Sequence, residues 1–330
     1  MNTTLVETIT GLDIDGNIFR DDKLLQSRLR SVHNISLDDC EWYHIMEIPG
    51  IDGLTNGVFD CRDDIGNILG NLNFKDKKVI NLGPSTGYLS FEAERRGADV
   101  TSIDLSVEKE ERDITPIADK KWKNELTLFM SDERRRRNAF WYAHKALNSK
   151  SKLIISHINN LPDEVDLHDI GIIFSVLLHI RDPFLALQRM CSHVNEKIVI
   201  TELGQYPTYL YRLLPASMTI SIKNSIAKFL EENSELLNKL PNFINKRLFR
   251  NRPVLRFLPQ HNRIATKWWS FTPEAIIAML KVLGFGKTKV NYHYYKSPLE
   301  TGNDAKMWSF TVVGERTVPI EECDYNYDAN

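Results

Sequence analysis

From residue 78 to near the C-terminus, short runs rich in Val and Ile alternate with longer stretches of helical character. That alternation predicts a mostly parallel sheet covered by helices. The first run, Lys78-Val-Ile-Asn-Leu82, passes through Gly83-Pro84-Ser85-Thr86-Gly87 into a helix over Tyr88 to Arg96, which Gly97 stops. A second strand spans Asp99 to Ile103 and ends at Asp104, and a polar helical stretch fills residues 105–150. Strands three and four are Leu153–His157 and Ile170–Ser175. A helix opens at the Asp182-Pro183 cap and runs to about Val194, before a fifth strand at Lys197–Glu202. Residues 205–267 break the rhythm with Pro207, Pro215, Pro241, Pro253 and Pro259 among mostly helical apolar patches, which reads as an inserted lid. The alternation resumes with a helix from Thr272-Pro273 to Leu283, closed by Gly284, and strands near Gly286–Tyr292 and Met307–Gly314.

The chain has 330 residues, 42% hydrophobic and 26% charged, the composition of an ordinary globular protein. The longest apolar run, Ile170 to Ile180, is shorter than the roughly 20 residues a spanning helix needs, so no transmembrane segment is expected. The start of the chain lacks a basic stretch followed by an apolar one, so no signal peptide and a cytoplasmic location are expected. A net charge of −2 conceals an asymmetry. Residues 1–76 carry 6 Lys/Arg against 14 Asp/Glu, and residues 205–267 carry 11 against 3. Cys40, Cys61, Cys191 and Cys323 are scattered without a CxxC pair and read as reduced thiols. Asp182 and Glu202 alone do not make a magnesium site, and no metal is expected.

A glycine-containing turn directly after a first strand puts unhindered backbone and a helix N-terminus where a ligand can lie across the sheet edge. Asp104, 17 residues after Gly87, has the spacing of a ribose-diol acceptor. The turn is GxxxG, neither the dinucleotide GxGxxG nor a GxxxxGK[ST] phosphate loop. Val79-Ile-Asn-Leu-Gly-Pro-Ser-Thr-Gly87 resembles the first motif of the class I S-adenosylmethionine-dependent methyltransferases. Ser102-Ile-Asp-Leu105 resembles their second motif, and Phe174-Ser-Val-Leu-Leu-His-Ile-Arg-Asp-Pro183 their segment after strand four. Trp42-Tyr-His44, Phe91-Glu-Ala-Glu-Arg-Arg-Gly-Ala98 and Trp268-Trp-Ser-Phe-Thr-Pro273 are similar to a branch of that family that includes the wobble-uridine tRNA carboxymethyltransferases.

The resemblance implies an α/β fold with a Rossmann-like, mostly parallel seven-stranded sheet and one antiparallel edge strand; the N-terminal helical cap and the inserted helical lid are read from the residues, and the insert has no counterpart in the resemblance. The divisions are a cap segment over 1–76, a cofactor-binding half over 77–204, and the basic lid over 205–267. Residues 268–314 complete the sheet, and 315–330 form a tail. It further implies S-adenosyl-L-methionine as cofactor, held by Gly83, Pro84, Ser85, Gly87, Asp104, Leu105 and Phe174. His157 stands where the family often has an acidic residue facing adenine, which makes Ile158 and Asn159 the expected adenine wall. Asn81 replaces the usual acidic residue of the first motif and cannot form an ion pair with a cofactor ammonium, and Ser85 replaces a glycine.

Methyl transfer needs proximity and orientation more than covalent catalysis. Three candidate catalytic residues follow from position along the strands. His179, just past strand four, is a candidate base, or else a helix-entry histidine bonded to backbone. His44 either closes over the acceptor or packs in an aromatic cluster with Trp42 and Tyr43. Glu202 either anchors a substrate amine or hydroxyl, or faces water. Arg134 to Arg137 point around a whole helix and read as a solvated face, with Phe140-Trp141-Tyr142 packing that helix on the sheet. Residues 239–267 carry eight Lys/Arg and no Asp/Glu, with interleaved Phe and Leu, and suit an anionic partner. The expected acceptor is a small molecule or glycan carrying an anionic group. RNA, peripheral membrane contact through 239–267, and a catalytically silent binding protein are the alternatives. Oligomeric state is left open.

Overall fold

The computed structural model describes residues 5–7, 35–105, 123–161, 165–204, 253–258, 267–297 and 306–325. The expected lid therefore lies outside the described residues except for 253–258 and 267. The strands are β1 (Leu5–Glu7), β2 (Lys78–Leu82), β3 (Asp99–Asp104), β4 (Lys152–Ile155), β5 (His168–Phe174), β6 (Val194–Leu203), β7 (Leu255–Phe257), β8 (Trp269–Phe271), β9 (Lys287–Lys296) and β10 (Lys306–Glu315). The α-helices are α1 (Ile65–Ile68), α2 (Tyr88–Arg95), α3 (Lys123–Ala146), α4 (Pro183–Cys191) and α5 (Pro273–Val282).

The main sheet runs β1-β4-β3-β2-β5-β6-β10-β9. Strands β4, β3, β2, β5 and β6 are mutually parallel, because each connection crosses back over a face of the sheet. The Val and Ile of β2 and β5 are buried, as expected for strands covered on both faces. One core, containing Phe91, Phe140 and Trp141, packs α2, α3 and the N-terminal segment on one face. The other, containing Leu187, Ile276 and Phe310, packs α4 and α5 on the opposite face. The caps read from the sequence are present. Asp182 Oδ1 accepts from the Leu185 N–H at 3.0 Å, and Thr272 Oγ1 from the Ala275 N–H at 3.2 Å, with Pro183 and Pro273 in the first turns.

The seven-stranded, mostly parallel sheet is as expected, with four differences of detail. The antiparallel strand is not the edge. β10 runs antiparallel between β6 and β9, so β9 forms that edge, and β1 adds a short eighth strand beside β4. The N-terminal segment is less helical than expected: from residue 35 to 76 it contains a 3₁₀ turn at Leu37–Asp39 and the four-residue α1. It is held instead by isolated bridges, His44 to Phe59 and Asp60 to Lys296. Leu255–Phe257, inside the segment read as helical, is a strand paired antiparallel with β8. Helix α4 stops at Cys191, and Val194 already belongs to β6.

No helix among the described residues is long and apolar enough to cross a membrane. The four cysteines are unpaired, three of them buried. Gly87 shows how the cores constrain the connection out of β2. Its φ is +89°, and a Cβ there would press on the Phe91 ring and come within 2.8 Å of Phe140. Gly87→Ala should therefore destabilise the fold by about 2–4 kcal/mol, from left-handed strain plus overpacking. Denaturant unfolding checks this, and an unchanged midpoint would contradict the packing described.

Candidate functional site

The five parallel strands end on one edge, and the residues singled out from the sequence gather there. Between β2 and α2 the chain turns through three left-handed residues, Gly83 at φ +69°, Ser85 at +52° and Gly87 at +89°. The Gly83 N–H donates to the Ile103 carbonyl of β3 at 2.8 Å. A Cβ on Gly83 would stand 2.6 Å from Val176 in the segment after β5, so only glycine lets these two strand ends close together. Pro84 is buried, and Ser85 is half-buried on the same turn. Asn81 lies at the fourth position of β2, beneath the turn. Its Nδ2 donates to Ser90 Oγ at 2.8 Å, and Ser90 Oγ lies 2.8 Å from Ser102 Oγ, a buried polar link between β2, α2 and β3.

Asp104 ends β3. Its Oδ1 accepts the N–H of Leu105 at 2.8 Å, and its Oδ2 is 3.0 Å from the Arg137 guanidinium of α3. On the neighbouring strand end, Ser156 N–H donates to the Asp104 carbonyl at 2.9 Å, and a 3₁₀ turn follows at Ile158–Asn160. Ile158 is buried in the core shared with α4, so its side chain faces inward. Asn159 is half-buried. Its N–H donates to His157 Nδ1 at 3.2 Å, and its Oδ1 is buried without a hydrogen-bond partner.

His44 is brought to this edge by the N-terminal segment. Its backbone is fixed by the Thr55 hydroxyl, which donates to the His44 carbonyl at 2.9 Å, and by Gly57, where a Cβ would collide with that same peptide. The ring is 2% exposed, between Tyr88 and Phe174 at centroid distances of 5.8 and 6.0 Å. The His44 N–H donates to Thr86 Oγ1 at 3.3 Å, leaving the Thr86 hydroxyl proton free for His44 Nδ1 at 3.2 Å. In that arrangement Nδ1 accepts and the proton sits on Nε2, which is buried without a partner. Burial pushes the imidazole down to about pKa 3, with Arg136 adding to the effect. His44 is thus a neutral hydrogen-bond donor and a poor base.

Glu202 is 1% exposed near the end of β6. It is shielded from water, and its Oε2 is buried without a hydrogen-bond partner. Its Oε1 accepts the Leu177 N–H at 3.1 Å, and the N–H groups of Val176 and Leu178 point at the same carboxyl. Glu202 therefore caps the 3₁₀ turn Leu177–His179. Burial pushes its pKa up to about 8, against the lowering by those three N–H groups. His179 is half-buried at the end of that turn, its N–H bonded to the Val176 carbonyl at 2.9 Å. Beside the turn, the Trp268 N–H donates to the Leu178 carbonyl at 2.7 Å and Trp269 Nε1 to the Arg181 carbonyl at 3.1 Å. The return of the insert is thus anchored next to His179.

The structure brings His44, Phe174, the Gly83–Gly87 turn, Glu202 and the His179 turn together, with Asp104, Leu105 and Asn159 on the adjoining strand ends. Thr86 and Arg137 belong to the site and were not singled out as such. Thr86 lies inside the first motif, a signal that was present. Arg137 was read as one of four solvated arginines, but it is buried and paired with Asp104.

No protein-family model and no curated protein matches the sequence. Among solved structures, the N-terminal domain of EvdMO1 in the presence of SAH and D-fucose is similar at 13% identity. That likeness covers 90% of this chain and 97% of that one, with a TM-score of 0.44. Magnesium protoporphyrin IX methyltransferase (ChlM) from Synechocystis PCC 6803 with bound SAH is similar at 12% identity, over 77% and 81% of the two chains, with a TM-score of 0.41. The 1,6-didemethyltoxoflavin-N1-methyltransferase of Burkholderia thailandensis is similar at 12% identity, over 78% of both chains, with a TM-score of 0.41. What decides the fold is the strand order, β4-β3-β2-β5-β6-β10-β9 with β10 antiparallel. The chain has the class I methyltransferase fold.

Glu202 titrates above its unfolded value of 4.5, so the native state holds a proton that the unfolded state releases. Its contribution is full below pH 4.5 and is lost as pH rises through about 8. The slope has an upper bound of about 1.4 kcal/mol per pH unit. Glu202→Gln, which stays neutral, should gain on the wild type in thermal midpoint between pH 5 and 8.5. Parallel curves would show that Glu202 is ionised in the fold.

Proposed function

We propose that the chain is an S-adenosylmethionine-dependent methyltransferase that acts on a small molecule or a glycan-type acceptor, at oxygen or nitrogen. The observation that carries this reading is the set of buried polar atoms left without partners along one edge, among them His44 Nε2, Asn159 Oδ1 and Glu202 Oε2, beside the left-handed turn and Asp104. A buried donor or acceptor without a partner costs about 1–3 kcal/mol, and a ligand that satisfies it recovers that cost. Donors, acceptors and an anion spread over adjacent strand ends suit a ligand as long and as polar as S-adenosylmethionine.

When bound, that cofactor supplies a methyl group on a sulfonium for in-line displacement. Asp104 accepts from a ribose diol, and Asn159 offers its Oδ1 at the adenine end. The Gly83–Gly87 turn lets the ligand approach the backbone. Asn81, committed to Ser90, supplies no charge to the cofactor ammonium. His44 donates through Nε2 to an oxygen of cofactor or acceptor and stays neutral across the physiological range. His179 is the candidate base for a hydroxyl acceptor, a contribution of about 10²–10⁴-fold. Glu202 holds the turn that carries it. The aromatic wall of Tyr88 and Phe174 keeps water from the same edge.

Isothermal titration with S-adenosylmethionine tests the reading. Micromolar binding by the wild type, weakened tenfold or more in Asp104→Ala, is expected. No binding by a folded wild type would leave a silent binding protein in its place.

A further inference from the structure

The four-arginine run on α3 is not a uniform solvated face. Arg134 and Arg135 are exposed, Arg136 is half-buried, and the Arg137 side chain is 9% exposed. Arg135 Nη2 donates to the Cys40 carbonyl at 3.1 Å, and the Arg136 guanidinium lies 5.2 Å from the centre of the Tyr43 ring. Arg136 also pairs with Glu133 at 2.6 Å. Arg137 turns the other way, into the end of β3. Its Nη2 is 3.0 Å from Asp104 Oδ2 and donates to the Leu105 carbonyl at 3.0 Å.

We infer that Arg137 is a positioning residue for cofactor recognition, holding the Asp104 carboxylate in the one orientation that accepts both hydroxyls of a ribose. The inference rests on the cofactor site proposed above. Asp104 is 17% exposed and its two oxygens are gripped from different sides, Oδ1 by the Leu105 N–H at 2.8 Å and Oδ2 by Arg137. The hydrogen bond on one oxygen and the ion pair on the other together restrain the carboxylate. Each oxygen of an ionised carboxyl offers about two acceptor positions, so each can still accept a hydroxyl of a vicinal diol. The guanidinium also keeps a largely buried anion paired; without it the carboxylate is left unpaired and free to rotate toward water. Arg137 does this while bonded to the strand end itself through Leu105, so the carboxylate is referenced to β3 and not only to the helix. Both contacts leave from the one Nη2 nitrogen, and lysine, which carries the charge on a differently shaped side chain, can reproduce them only in part.

Titration calorimetry with S-adenosylhomocysteine and its 2′-deoxy analogue separates this role from simple stapling of α3 to the sheet. The wild type should prefer the ribose compound tenfold or more. Arg137→Gln should reduce the preference below threefold, chiefly by losing affinity for the ribose compound, and Arg137→Lys should recover part of it. A role confined to the fold would weaken both ligands alike and leave their ratio unchanged in Arg137→Gln and Arg137→Lys, which overturns the inference. If Arg137→Gln does not fold, the ratio in Arg137→Lys decides by the same criterion. A wild type that binds both ligands equally would overturn the diol role of Asp104 and this inference with it. A wild type that binds neither would overturn the cofactor reading itself.

Discussion

Val176 stands 2.6 Å from where a side chain on Gly83 would begin. That contact sets how close the ends of β2 and β5 come, and most of the site follows from it. Glycine at 83 leaves room for Val176, and the left-handed turn through Gly83, Ser85 and Gly87 brings Thr86 to His44. On the other side, the segment led by Val176 needs its own N–H groups satisfied where water is scarce. Glu202 supplies that acceptor from β6, and the capped turn carries His179. One steric constraint thus links three strands and the N-terminal segment into a single edge.

Charge is distributed along this edge in a consistent way. Toward β2, β5 and β6, burial favours neutral groups: His44 without its second proton, Glu202 with one at neutral pH. A transfer from a sulfonium to a neutral acceptor disperses positive charge, and a site of low polarity does not trap that charge on the starting side. Toward β3, burial is compensated by pairing, with Asp104 against Arg137. The same edge therefore offers a neutral, aromatic-lined end and an ionised, hydrogen-bonding end. Leaving His44 Nε2 and Asn159 Oδ1 without partners costs stability, as expected where a fold keeps groups ready for a ligand.

Much of this was legible in the sequence, for identifiable reasons. Strands β2, β3 and β5 declare themselves because Val and Ile runs buried on both faces admit few other structures, and the caps at Asp182 and Thr272 mark helix starts by local chemistry. The strands β1 and β7, each three residues long, carry too little pattern to be seen. Glu202 is legible as the end of a strand, but its contacts depend on three N–H groups from another segment, which no local pattern reveals. Arg137 was hidden by its neighbours: a run of four arginines looks solvated, and only the approach of α3 to β3 selects the one that is buried. The burial of His44 likewise depends on Gly57 and Thr55 folding back over its peptide.

The central claim is that this edge moves a methyl group onto a small acceptor. The most direct measurement incubates the protein with methyl-labelled S-adenosylmethionine and a fractionated host extract, counting RNA, lipid, glycan and small-molecule pools separately. The account predicts label in the glycan or small-molecule pool, absent when Asp104→Ala replaces the wild type. Label confined to RNA, or no label in any pool from a protein that binds the cofactor, would contradict it.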